Sequence, residues 1–172
     1  VNAPARIPRA VARTILTGPS YLRTIYELVR NAAHHIDLAV YLMTPPARSS
    51  PEQYAALWQH LLLAPARAIN CRALIHRHPP ASPLAFLHNA AVATLTSAGW
   101  RCRYARRGLV MHSKYWIVDA RHVVIGSHNL TAQANCANVE TSIYLHSTDY
   151  AVALRDQFAN AWANQGEPPP DL

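Results

Sequence analysis

The strongest constraint on this chain is alternation. The segment Ile36–Met43, closed by His34-His35 on one side and Thr44-Pro45-Pro46 on the other, reads as a buried strand. Around it, strand-like and helix-like segments take turns. Val11–Leu16 reads as a short strand, and Gly18-Pro19-Ser20 as a turn whose serine caps a helix reaching about Ala33. A helix from about Pro51 to Leu63 leads to a strand at Cys71–His76. Pro79, Pro80 and Pro83 stiffen a loop before a helix that ends near Gly99, and a strand follows at Trp100–Tyr104. Lys114–Val118 and His122–Ile125 form a predicted hairpin around Asp119-Ala120-Arg121. Thr131–Asn135 reads as a brief helix, Glu140–His146 as a strand and Asp149–Asn164 as a closing helix, while Val1–Arg9 and Gly166–Leu172 read as loose tails. This order predicts one α/β domain, a mixed β-sheet with helices on both faces.

Composition narrows the function classes without choosing among them. A length of 172 residues suits one domain with a sizeable core and leaves little room for two. The net charge of +7 would draw a polyanion such as nucleic acid, or an anionic membrane surface; a plain preference for arginine accounts for it equally well. Cys71, Cys102 and Cys136 are widely spaced and odd in number, which argues against a zinc site and a disulfide framework. No apolar run reaches membrane-spanning length, so stable membrane insertion is not expected. The start, Val1-Asn2-Ala3-Pro4-Ala5, is compatible with a mature or trimmed chain, and the compartment stays open.

The chemistry concentrates in one place. Lys114 is the only lysine, two residues after His112, and the surrounding pattern is H-x-K-x4-D-x6-G-S-x-N through Asp119, Gly126, Ser127 and Asn129. A compact ammonium where every other cation is a guanidinium suggests a point charge beside an imidazole. Alternation along a strand would set His112 and Lys114 on one face, and the returning strand would bring Ser127 and Asn129 to the same end of the sheet. A hydroxyl, a carboxamide and an ammonium converging there could hold the oxygens of a phosphodiester, with Gly126 allowing close approach.

These residues resemble the phospholipase D superfamily, whose motif they match in full at His112, Lys114, Asp119, Gly126, Ser127 and Asn129. Asn138-Val139-Glu140 is similar to the family's N-x-E segment, which implies that the Glu140 carboxylate hydrogen-bonds the catalytic imidazole. The resemblance implies one family half-unit over most of the chain. It also implies a homodimer with a shared site, as in the small bacterial endonucleases that carry a single motif, and a bacterial cytoplasm, periplasm or secreted setting. His112 of one subunit would attack phosphorus and the second subunit's His112 would protonate the leaving oxygen. Lys114, Ser127 and Asn129 would stabilise charge, and Asp119 would hold the hairpin. No metal or other cofactor is implied. The expected substrate is nucleic acid, DNA rather than RNA, cut with little sequence specificity; a phospholipase or phosphatidyl transferase, and a catalytically silent nucleic-acid-binding module, are the alternatives.

Other residues carry weaker expectations. Arg101, Arg103, Arg106 and Arg107 could line a basic groove, or form an ordinary solvated charge run. His128 fills the variable position of the motif and could touch substrate or simply pack. His76 and His78 form an H-x-H without a third ligand at suitable spacing, so loop residues are expected there rather than a metal site. Trp100, Tyr104 and Tyr115 could stack on bases or belong to the core.

Overall fold

The computed structural model describes residues 12–169. In chain order the elements are β1 (Ala12–Leu16), α1 (Gly18–Asn31), β2 (His35–Val40), α2 (Glu52–Leu63), β3 (Asn70–Ile75), α3 (Pro83–Ser97), β4 (Arg101–Ala105), β5 (Tyr115–Val118), β6 (His122–Gly126), α4 (Ala132–Cys136), β7 (Ser142–His146), α5 (Thr148–Gln165) and β8 (Gly166–Glu167). They build one eight-stranded sheet in the order β1-β7-β6-β5-β2-β3-β4-β8. The β2–β3 and β3–β4 pairs are parallel and the others antiparallel, giving the expected mixed α/β fold.

Two apolar layers hold the sheet. On one face α1 buries Tyr21, Leu22, Ile25 and Val29, whose i, i+1, i+4, i+8 spacing forms one helical stripe, alongside Leu57 and Leu61 of α2 and Val92 and Leu95 of α3. On the other face Ala151 and Phe158 of α5 cover Tyr115, Ile117, Val123 and Leu74. Beneath α5 the fully buried Asp37 would be costly alone. It accepts a two-pronged bond from Arg72 at 2.7 and 2.8 Å, with Arg155 at 3.4 Å.

Several sequence boundaries move, each for a local reason. Thr17, not Ser20, is the N-cap of α1; Ser20 lies in the first turn, where its Oγ accepts from Thr17 N at 2.9 Å. β2 ends at Val40, because the chain then crosses to the β6–α4 loop, where Thr44 N donates to Leu130 O and Leu130 N to Leu42 O, both at 3.0 Å. β7 begins at Ser142, so Glu140 precedes the strand instead of opening it. The C-terminal tail is not loose at its start: Gly166–Glu167 pairs with β4, and the Glu167 carboxylate takes a 2.7 Å bond from Arg77. The predicted tail over residues 1–9 and the start of the first strand at Val11 lie outside the described residues.

Candidate active site

Parallel pairing matches Val40 with Ile75, so Tyr41 and His76, the residues just beyond β2 and β3, emerge side by side at the strands' C-terminal ends. There the Tyr41 ring is a platform. His76 stacks on it with centroids 4.6 Å apart, His78 meets it edge-on at 5.1 Å, and His112 meets it edge-on at 4.7 Å. The Lys114 ammonium lies 5.1 Å from the same ring centre. His112 and Lys114 therefore come together as the spacing predicts, although residues 111–114 run into β5 without being part of it.

The pair divides into an outer and an inner group. The His112 side chain is exposed, while Lys114 is nearly buried and donates from Nζ to the His112 carbonyl at 2.7 Å. Burial lowers the Lys114 pKa, and the nearby negative charge of Glu140 opposes that shift. An exposed imidazole beside a partly desolvated ammonium can present a nucleophile and a positive field to one phosphoryl group.

The remaining motif residues brace this end of the sheet. Ser127 Oγ accepts from Thr141 N at 3.0 Å and lies 3.3 Å from Thr141 O, sealing β6 to the start of β7. A side chain at Gly126 would collide with Ser142 and with the Thr141 carbonyl, so only glycine fits between the strands. Asn129 Oδ1 accepts from Leu42 N at 3.1 Å, while its amide nitrogen has no partner among the described residues. Asp119 accepts from the backbone N–H groups of Ala33, His34 and His35 at 2.9, 2.8 and 3.0 Å. Burial alone would raise its pKa, but the three donors outweigh it and the carboxyl sits below its ordinary value. Both Asp119 and Ala120 take a positive φ, near +50°, to close the turn.

Other sequence expectations change in the structure. Glu140 makes no hydrogen bond to His112; its carboxylate accepts from Asn138 Nδ2 at 3.3 Å, and its charge acts on Lys114. His128 is buried rather than poised for substrate, stacked on Tyr21 at 3.8 Å and bonded through Nδ1 to Ser142 Oγ at 2.8 Å. Arg101 lies at the opposite end of β4 from Ala105 and binds Asn70 Oδ1 at 2.6 Å, and Arg103 donates to Trp162 O at 2.7 Å; neither is brought to the site. Arg106 and Arg107 follow β4 at the correct end and are exposed. Arg107 lines a cleft of about 580 Å³ with Arg77, His78, Phe86, Asn89 and Tyr104. Trp100 and Tyr115 pack in the core, and Tyr104 is buried with its hydroxyl donating to Asn89 Oδ1 at 2.7 Å.

Sequence reasoning missed Tyr41 and His88. His88 of α3 is fully buried, with Nδ1 accepting from Met43 N at 3.2 Å and Nε2–H donating to His76 O at 3.0 Å. His78 in turn donates from Nε2 to Tyr41 O at 3.1 Å, since a carbonyl can only accept. Burial lowers the pKa values of His76, His78 and His88, the last to about 4. Among the described residues, no group of three or more His, Cys, Asp or Glu side chains could hold a metal ion. No described helix is long and apolar enough to cross a membrane.

With this geometry in view, likeness to known proteins becomes informative. The mitochondrial cardiolipin hydrolase of Xenopus laevis is 25% identical over 146 residues, which are 85% of this chain and 62% of that protein. The 5'-3' exonuclease PLD3 of Xenopus laevis is 26% identical over 123 residues, 66% of this chain and 24% of that one. The chain thus spans less than two thirds of the length of these relatives. The crystal structure of Nuc, a phospholipase D family member from Salmonella typhimurium, superposes with a TM-score of 0.75 at 20% identity, over 93% of this chain and all of that one. The family described as cardiolipin synthase, PLD-like domain matches residues 25–162, and the chain belongs to this branch of the phospholipase D superfamily.

Proposed function

We propose that this protein is a phosphodiesterase that cleaves nucleic acid, DNA rather than RNA, with little sequence specificity and through a phosphohistidine on His112. The observation that carries the reading is the exposed His112 imidazole beside the inward Lys114 ammonium on the Tyr41 ring. In the proposed step a His112 nitrogen lone pair bonds to phosphorus as the bond to the leaving oxygen breaks. The protonated His112 of a second copy gives that oxygen its proton, then takes one from the water that releases the phosphate. Lys114 and the amide nitrogen of Asn129 supply donors for the non-bridging oxygens, and no step calls on a metal. The charge of +7 and the exposed Arg107 beside His78 in the cleft favour a polyanionic substrate, and one named relative is an exonuclease.

A second reading is hydrolysis of a phospholipid headgroup bond. The cardiolipin hydrolase relative and the exposed Phe86 at the cleft favour it. One experiment separates the two: incubation with labelled single- and double-stranded DNA, RNA and cardiolipin vesicles, each with and without EDTA, using wild type and His112→Ala. DNA cleavage that survives EDTA, falls about 10³-fold or more in His112→Ala, and leaves an acid-labile phosphate on His112 is expected. Lipid turnover without DNA cleavage selects the second reading, and activity of His112→Ala within a few fold of wild type removes the nucleophile from both.

A further inference from the structure

His76 is held more firmly than packing requires and uses its ring nitrogens less. It directly follows β3, and its backbone is fixed on both sides: His76 N donates to Val40 O at 3.1 Å, and His76 O accepts from His88 Nε2 at 3.0 Å. The ring is fixed as well, stacked on Tyr41 with centroids 4.6 Å apart and planes 17° from parallel, and met edge-on by His78 at 4.8 Å. Only 8% of the residue is exposed. His78 and His88 commit ring nitrogens to the backbone of Tyr41, Met43 and His76. His76 Nδ1, by contrast, is sealed in with no partner among the described residues, and its Nε2 is not sealed in that way. If stacking on Tyr41 were the whole role, a phenyl ring would serve without the cost of an unpaired buried nitrogen.

That orphaned nitrogen decides the tautomer. A neutral imidazole carries one proton, and an N–H buried without an acceptor is the rarer defect, so the proton belongs on Nε2 while Nδ1 keeps its lone pair. Burial, followed by the neighbouring His78 and His112, lowers the His76 pKa and favours the neutral ring. We propose that His76 is a further donor of the active site, its Nε2–H reaching a non-bridging oxygen of the phosphate held by His112 and Lys114. The proposal rests on the reading above in taking a phosphodiester as substrate, and it calls for no particular base, sugar or lipid tail. Position supports it. His76 and His112 touch the same Tyr41 ring, and the Lys114 ammonium lies 5.1 Å from the centre of that ring. Need supports it too, because Lys114 Nζ already gives one of its donors to the His112 carbonyl. A second cation here would disfavour the protonated His112 that the leaving oxygen requires, whereas a neutral donor steadies the phosphoryl oxygens without that penalty.

Two substitutions separate a donor from a packing ring. His76→Phe keeps the stack on Tyr41 and removes the N–H, while His76→Gln gives up the ring but carries an amide N–H near the place of Nε2. Both are compared with wild type and His112→Ala for cleavage of labelled DNA and for binding of inorganic phosphate, with far-UV circular dichroism as the check on folding. His76→Phe is expected to lose about 100-fold in kcat with KM within a few fold of wild type. It should also bind phosphate about tenfold more weakly, since the extra charge of that ion mimics the charge that builds on the oxygens. His76→Gln is expected to recover about tenfold of the lost kcat. The opposite order, with His76→Phe near wild type and His76→Gln impaired, makes His76 a packing residue and overturns the inference; inactive His112→Ala then leaves the nucleophile standing. A wild type that cleaves no DNA, with phosphate binding still weakened in His76→Phe, overturns the nuclease reading and supports the donor. Nitrogen NMR of the His76 ring in the wild-type protein needs neither turnover nor a folded variant. At neutral pH it should find the proton on Nε2, with a resonance that moves as phosphate saturates the site. A proton on Nδ1, or an Nε2 resonance indifferent to bound phosphate, overturns the inference even if both variants misfold.

Discussion

Acid should loosen this protein from the inside, and His88 allows the size of the effect to be worked out. Its imidazole is fully buried and committed at both nitrogens, accepting from Met43 N and donating to His76 O. A second proton would set two N–H groups against each other at Met43; burial, joined by the neighbouring His78, holds the pKa at about 4. In the unfolded chain the same imidazole titrates near its ordinary 6.5. Between these values the unfolded state binds more protons than the folded one. The contribution of His88 is therefore complete above pH 6.5 and is lost as the pH falls towards 4. Linkage over that interval gives a loss of about 2 kcal/mol between pH 7 and pH 5 from this residue alone. His35, His76, His78, His122 and His128 also have lowered pKa values, burial being the leading cause in each, and they steepen the same decline. His88→Asn isolates the residue, since its amide oxygen can stand near the place of Nδ1 but does not titrate. Urea unfolding at pH 7, 6 and 5 should show a smaller decline in the variant by about 2 kcal/mol, despite its lower stability at pH 7. An equal decline in both proteins would show that the folded state accepts the proton, and would refute the buried neutral tautomer.

Three further outcomes follow from the geometry. Asp119→Ala removes the acceptor of three backbone donors; discounted for partial exposure, the loss is about 3 kcal/mol, or roughly 6–12 °C in Tm by calorimetry, with turnover at low temperature retained within several fold. Asp119 has a lowered pKa, so its contribution is complete above about pH 4 and is lost only as the pH falls through the folded value. Tyr41→Leu should lower kcat by about 10- to 100-fold while Tyr41→Phe stays near wild type, because the ring face and not the hydroxyl positions His112 and Lys114; equal loss in both variants would contradict this. Arg107→Ala should flatten the salt dependence of DNA binding by about one unit of log–log slope, whereas Arg101→Ala and Arg103→Ala should leave it unchanged, as measured by fluorescence anisotropy.

The contrast among those arginines shows what the sequence could and could not disclose. His112 to Asn129 form one hairpin with its flanks, so residues close in the chain are close in space, and motif spacing alone is enough to bring His112 beside Lys114. The arginines of residues 101–107 are equally close in sequence, yet β4 carries Arg101 to one end of the sheet and Arg106 to the other. A charge run is silent about that direction until the parallel pairing of β3 with β4 is known. Tyr41 was hidden for the same reason. Within Ile36–Met43 it looks like another residue of a buried strand, and its role appears only when β2 stops at Val40 and β3 sets His76 beside it. Glu140 illustrates the opposite error: the resemblance supplied a partner for His112, whereas the chain enters β7 only at Ser142 and leaves that carboxylate near Lys114. Local motifs therefore disclose the reacting groups, while their support comes from the C-terminal ends of the parallel strands, whose adjacency is a long-range fact.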